Sequence, residues 1–258
     1  VVAPSMNTLI LEHPATQANL ATLRGYGYRI VDPASGELAC GYEGAGRLPD
    51  PEDLVQEVAA ALSPPDLRGR RVVVSAGPTC EPIDPVRHVT NRSSGRMGYA
   101  VAAAAWRRGA AVTLVSGPTS LPIPRGVEAV HVRTAAEMAT AMTAQSANAD
   151  VVVMVAAVAD YRPKNAAAGK IKKTEGELQL QLERTEDVLA LLSRTKGRRI
   201  LVGFAAETDA VRENALSKLR RKNLDLIVAN DVSAPGTGFD VATNAAILID
   251  AAGGEKHS

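Results

Sequence analysis

The sequence predicts an α/β fold: a Rossmann-like, doubly wound, mostly parallel sheet with an antiparallel addition. Three observations carry the prediction. Short β-branched runs alternate with helical patterns beyond residue 66, one polar-apolar stretch has a period of two, and the composition is close to the globular average, with 46% hydrophobic and 22% charged residues. In chain order, Pro51 to Leu62 reads as a helix, with Leu54, Val55, Val58 and Leu62 on one face. Ser63-Pro64-Pro65-Asp66 then breaks the pattern and divides the chain into residues 1–66 and 67–258.

In the second segment Arg71–Ser75, Ala111–Ser116, Val127–Val132, Asp150–Ala156, Ile200–Phe204 and Asp225–Ala229 read as parallel strands. Between them an Ala-rich helix runs from about Ser94 to Arg108, a second opens on the capping box Thr134-Ala135-Ala136-Glu137, and a third covers Asp209 to Lys222. Thr185-Glu186-Asp187-Val188-Leu189 opens another. Leu178, Leu180 and Leu182 alternate with Gln179, Gln181 and Glu183, which predicts a half-buried strand and supplies the antiparallel addition. Asp160 to Lys173 has neither period, as expected of a long functional or disordered loop.

Composition excludes several classes of function. With 29 Lys+Arg against 28 Asp+Glu the net charge is +1, so no overall field draws the chain onto nucleic acid or an anionic membrane. Aromatic residues, at 3%, leave few stacking platforms for single strands. The longest apolar run, Val151 to Ala159, falls short of the roughly 18 residues that span a bilayer. Cys40, Cys80 and four scattered histidines have neither metal-ligand spacing nor a disulfide pattern, and a reducing cytoplasm fits them best. Opening on Val-Val-Ala-Pro, the chain reads as a cut from a longer protein.

Open α/β sheets bind ligands at the carboxyl ends of their strands, so the segments that follow the strands are where a site is expected. After the first strand comes a long, proline-stiffened segment from Gly77 to Gly98, in place of the short G-x-G-x-x-G of a dinucleotide fold. Its end, Ser93-Ser94-Gly95-Arg96-Met97-Gly98, enters a helix N-terminus, either as an anion site or as a serine cap with packing glycines. Arg87 and Asn91 favour the anion, since arginine clamps carboxylates and phosphates and asparagine can donate to an oxyanion. Lys170, Lys172 and Lys173 on the loop, and Lys218 and Lys222 one helical turn apart, read as solvated charge or as a polyphosphate site. Asp160 is either a turn residue or a ligand for Mg²⁺ or a ribose hydroxyl. Residues Glu186 to Leu189 either cap a helix or present free N–H groups to a pyrimidine edge.

These motifs resemble a known family. Gly77-Pro78-Thr79, Glu81 to Arg87, Asn91 to Gly98, Ala156-Ala157-Val158-Ala159-Asp160-Tyr161, Lys170-Ile171-Lys172-Lys173, Gly203 to Thr208 and Ala229-Asn230-Asp231 resemble the synthetase half of the bifunctional phosphopantothenoylcysteine synthetase/decarboxylase, over about Leu67 to Asp250. Pro4-Ser5-Met6-Asn7 and Gly36 to Arg47 resemble the end of its flavoprotein half, with Asn7 as the substrate-binding Asn and Cys40 as the redox-active Cys of a flap. The short N-terminal segment is thus expected to be the remnant of a flavoprotein domain. It lacks the FMN-binding first part, so no decarboxylation is expected of it, and the synthetase segment is expected to be shortened at its C-terminus. Cys80 stands where many relatives carry Arg, and Thr185-Glu186 where others have Asn-Pro.

The resemblance implies that 4′-phosphopantothenate and L-cysteine are joined at the expense of CTP through an acyl-cytidylate, in a cytoplasmic homodimer. Asn91 would hold the intermediate, Arg87 would support its loop, and Lys170, Lys218 and Lys222 would neutralise the triphosphate. Asp160 would engage the ribose or Mg²⁺, while Met154, Val155, Ala156, Glu186, Asp187, Val188, Leu189 and Phe204 would line the nucleotide pocket. Two other readings compete. One is a nicotinamide-dependent reductase, against which Tyr161 and Lys164 stand three apart rather than four; the other is a non-catalytic nucleotide-binding, dimerising module.

Overall fold

The computed structural model describes residues 1–39, 41–173, 176–207, 209–231 and 246–257, the side chains of Ala206, Glu207 and Asp231 excepted. The chain divides into two compact units, residues 1–68 with 107–109, and residues 69–106 with 110–258.

The first unit contains α1 (Thr8–Glu12), α2 (Pro14–Gly25), the antiparallel pair β1 (Ala34–Glu37) and β2 (Glu43–Arg47), and α3 (Pro51–Leu62). Asn7 caps α1 by accepting from Leu9 N at 2.9 Å, and Pro14 opens α2 where a missing N–H costs nothing. The α3 helix forms over the predicted residues, but its apolar stripe is not its buried face. Val55, Val58 and Leu62 are exposed, while Ala60 and Glu57 are buried, Glu57 accepting from Arg29 Nε at 2.6 Å.

The second unit is built on an eight-stranded sheet. In chain order its elements are β3 (Arg71–Ala76), β4 (Cys80–Pro82), β5 (His88–Thr90), α4 (Arg96–Arg107), β6 (Ala111–Ser116), β7 (Val127–His131), α5 (Ala135–Ser146), β8 (Val151–Met154), β9 (Tyr161–Pro163), β10 (Leu182–Arg184), α6 (Val188–Arg194), β11 (Ile200–Glu207), α7 (Val211–Arg221), β12 (Leu226–Asp231), β13 (Ala246–Asp250) and β14 (Glu255–His257). The sheet order is β14-β13-β12-β11-β8-β3-β6-β7, parallel from β12 to β7, with β13 and β14 added antiparallel.

The antiparallel addition therefore lies at the C-terminal edge and not at Leu178 to Glu183. There, Leu182–Arg184 forms β10 and, among the described residues, pairs with β9 alone, while Leu178, Leu180 and Leu182 stay exposed. Alternation specifies one apolar face, and among the described residues nothing covers it.

Helices cover the two sheet faces unequally. Val73, Val152, Met154, Leu201, Ala205 and Ile227 share one face and pack under Met138 and Met142 of α5, Leu189 and Leu192 of α6, and Ala215 and Leu219 of α7. The other face of β3 receives α4 at very short range. A Cβ on Gly98 would lie 2.5 Å from Ala76 Cβ and 2.8 Å from Ser75 O, so only glycine lets helix and strand approach this closely. The capping box of α5 is present, Thr134 Oγ1 accepting from Glu137 N at 3.2 Å.

Candidate active site

The parallel register sets Ser75, Met154, Gly203 and Ile227 level with one another, and the chain segments leaving those strands meet just beyond. Ser75 makes the first link. Its fully buried Oγ accepts from Val155 N and Ala156 N, both at 3.0 Å, which ends the β8 ladder at Met154 rather than at Ala156. Next, Ala157 N donates to Gly77 O at 2.9 Å and Ala159 N to the buried Thr79 Oγ1 at 2.9 Å. Thr185 then closes the strip: its Oγ1 donates to Ala159 O at 2.5 Å and its N to Asp160 O at 2.9 Å.

Asn91 lies across this strip. Its Nδ2 donates to Val158 O at 3.1 Å, and the residue as a whole is exposed. The Asp160 side chain is exposed as well.

A second group gathers at α6 and α7. Asp187 caps α6, its Oδ1 accepting from Ala190 N at 2.9 Å, and its Oδ2 is paired with Lys222 Nζ. Lys218, one turn earlier on α7, donates to Phe204 O at 2.7 Å. Burial pushes the Asp187 carboxyl up, but the hydrogen bonds from Lys222 and Ala190 N and the nearby charges of Lys222 and Lys218 outweigh it, so the group titrates below the usual carboxylate range. Two lysines, a carboxylate and the Phe204 carbonyl are thus neighbours, joined by Thr185 to the strip that holds Asn91 and Asp160.

Lys170 belongs to a third group. With Arg87, Val86, Ile171, Lys172, Lys173, Gly176 and Leu178 it lines a basic cleft of about 680 Å³. The described contacts link this cleft to the strip through the β4–β5 hairpin, which runs from Arg87 to Asn91, and not through Lys218 or Lys222. Asn7 caps a helix in the other unit, and Cys40 lies outside the described residues.

Sequence reasoning gave no role to Ser75, Thr79 or Asp84. Thr79 and Asp84 stand inside motifs that carry the family resemblance, whereas the one signal of Ser75 is its position near the end of the first strand.

The family model of the DNA/pantothenate metabolism flavoprotein C-terminal domain matches residues 67–258. The chain belongs to that family. A flavoprotein family model also matches residues 1–63. Likeness to curated proteins covers nearly the whole of this chain but only part of each of theirs. The chain is 48% identical to the coenzyme A biosynthesis bifunctional protein CoaBC of Bacillus subtilis, over 94% of this chain and 61% of that protein. It is 49% identical to the CoaBC of Escherichia coli K12, over 96% of this chain and 62% of that protein. A cysteine/cysteine sulfinic acid decarboxylase from an unknown prokaryotic organism is 48% identical over 96% of this chain and 71% of that protein. The chain thus spans about three fifths of the length of these CoaBC relatives. Among solved structures, the C-terminal domain of a CoaBC superposes with a TM-score of 0.64 at 44% identity, covering 75% of this chain and 87% of that one.

Proposed function

We propose that the second unit is a CTP-dependent phosphopantothenate–cysteine ligase acting in coenzyme A biosynthesis. One observation carries the reading: Lys218 and Lys222 meet the Asp187 cap and the Phe204 carbonyl beside the backbone strip on which Asn91 lies. A triphosphate brought there would take over the two ammonium groups, which in its absence meet the Asp187 carboxylate and the Phe204 carbonyl. A solved Cab2 mutant in complex with phosphopantothenate-cysteine shares the fold, with a TM-score of 0.59 at 16% identity.

In the first step a carboxylate oxygen of 4′-phosphopantothenate attacks the α-phosphorus of CTP. The bond to the bridging oxygen breaks, and pyrophosphate leaves with its electron pair. The amine of L-cysteine then attacks the acyl carbon of the cytidylate, CMP departs, and the amine loses a proton as the amide forms. Lys218 and Lys222 neutralise the phosphates, and Lys170 is brought to them by its loop, which excludes water from a hydrolysable intermediate. Asn91 holds the acyl-cytidylate, and Arg87 fixes the loop beside it.

The base is read by the segment Glu186 to Leu189, where the first helical N–H groups of α6 lack intrahelical partners. Met154, Val155 and Ala156 form the pocket floor, contributing carbonyls because the Val155 and Ala156 N–H groups are already bound to Ser75. Asp160 fits Mg²⁺ as a single exposed carboxylate, since this ion takes one or two carboxylates and completes its shell with phosphate oxygens and water. No cluster of three or more possible metal-ligating side chains occurs among the described residues. Bound there, Mg²⁺ would offset phosphate charge. FMN belongs with the flavoprotein portion of the longer relatives, where Asn7 and Cys40 would face substrate, and no step here passes through it. A second copy of this chain is the proposed protein partner.

The deciding experiment follows pyrophosphate release with CTP, 4′-phosphopantothenate and L-cysteine. CTP-dependent release with amide product is expected, and Asn91→Ala should release pyrophosphate yet form little amide. Equal turnover with ATP would overturn the cytidine assignment, and no release at all would overturn the ligase.

A further inference from the structure

The turn between β4 and β5 contains a carboxylate that is more heavily hydrogen-bonded than a turn requires. Asp84 is 3% exposed. Its Oδ1 accepts from Val86 N and Arg87 N, both at 2.8 Å, the local pattern by which aspartate closes a turn. Its Oδ2 does something else. It accepts from Arg87 Nε at 3.0 Å, from Arg87 Nη2 at 2.5 Å and from Ile171 N at 3.1 Å, across 87 positions of sequence. Arg87 Nη2 also donates to Ile171 O at 2.8 Å. Both polar groups of Ile171 are therefore held by one ion pair, a side-chain substitute for a strand ladder. A second tie, from Ala167 N to Ile83 O at 2.9 Å, holds the same loop to the same turn.

Bonding to Arg87 holds the Asp84 carboxyl well below the usual carboxylate range. Ile171 is the immediate neighbour of Lys170 and Lys172, both exposed and both lining the basic cleft. From Arg87 the same hairpin runs on to Asn91.

We infer that Asp84 is a positioning residue that, through Arg87 and the Ile171 peptide, sets Lys170 in register with the hairpin bearing Asn91. The inference rests on the ligase reading, in which Lys170 serves the nucleotide. Replacing the carboxylate by an amide separates this role from closure of the turn. In Asp84→Asn the amide oxygen can still accept from Val86 N and Arg87 N. The NH₂ group that replaces Oδ2 would face donors only.

The test measures initial rates of pyrophosphate release by wild type and Asp84→Asn against CTP concentration, together with tryptic cleavage after Lys170, Lys172 and Lys173. Expected are a KM for CTP raised by about tenfold with kcat changed far less, and faster cleavage of the loop. An active wild type and a variant with unaltered KM would overturn the positioning role alone. A wild type that releases no pyrophosphate would overturn the ligase reading and this role with it. Where the variant does not fold, amide exchange in the wild type decides: a slow Ile171 amide between faster Lys170 and Lys172 amides supports the tether, and a fast one overturns it.

Discussion

Asp187 and Lys222 form an ion pair that the proposed nucleotide would have to break. The Lys222 side chain is 13% exposed and its partner 54%, so the pair is half-buried and adds about 1 kcal/mol or less to stability. Its sign with pH follows from the depressed carboxyl of Asp187. The contribution is complete above the unfolded carboxylate value of about 3.9 and is lost as the pH falls through the lower native one. Lys222→Met should therefore melt below the wild type, by a margin that narrows as the pH is taken from about 6 to about 3. Melting followed by circular dichroism checks this, and a constant margin would mean that the pair contributes through packing alone.

At the scale of elements, the close contact of α4 and β3 matters most. The strand supplies Ser75, which orders Val155 and Ala156, and the helix lies against the Ser75 carbonyl with no side chain between. Gly98→Ala places a methyl group against backbone that cannot rotate away. A loss of about 1–3 kcal/mol is expected from overpacking, with a fall of several degrees in Tm. Pyrophosphate release should fall with it, because the displaced strand carries the Ser75 hydroxyl. Unchanged melting in differential scanning calorimetry would contradict the contact.

For the whole molecule, the exposed leucines of the β9–β10 region raise the question of a partner. Leu178, Leu180 and Leu182 are 55%, 41% and 48% exposed, in a stretch whose alternation is that of a strand with one buried face. Adjacent exposed apolar groups of this kind mark interaction surfaces. If a second copy covers them, the double substitution Leu178→Asp with Leu180→Asp should turn a dimer into a monomer in sedimentation velocity while leaving Tm within a few degrees. A wild type already monomeric at micromolar concentration would rule this surface out as the dimer contact.

Periodicity by itself determined the parallel strands and the helices between them, because hydrophobic spacing and capping act over a few neighbouring residues. Residue type, charge clustering and the family resemblance marked Asn91, Asp160, Lys170, Lys218 and Lys222 as candidate positions. Tertiary structure decided which of them become neighbours. Lys218 and Lys222 join Asp187 and Phe204, whereas Lys170 joins Arg87, and only the sheet order brings those segments to one edge. The Leu178–Leu182 alternation has the same period whether its apolar face is covered by this chain or left open, so sequence could not assign it. The roles of Ser75, Thr79 and Asp84 stayed hidden for a related reason: each bonds backbone 80 or more positions away, and spacing along a chain carries no record of such partners.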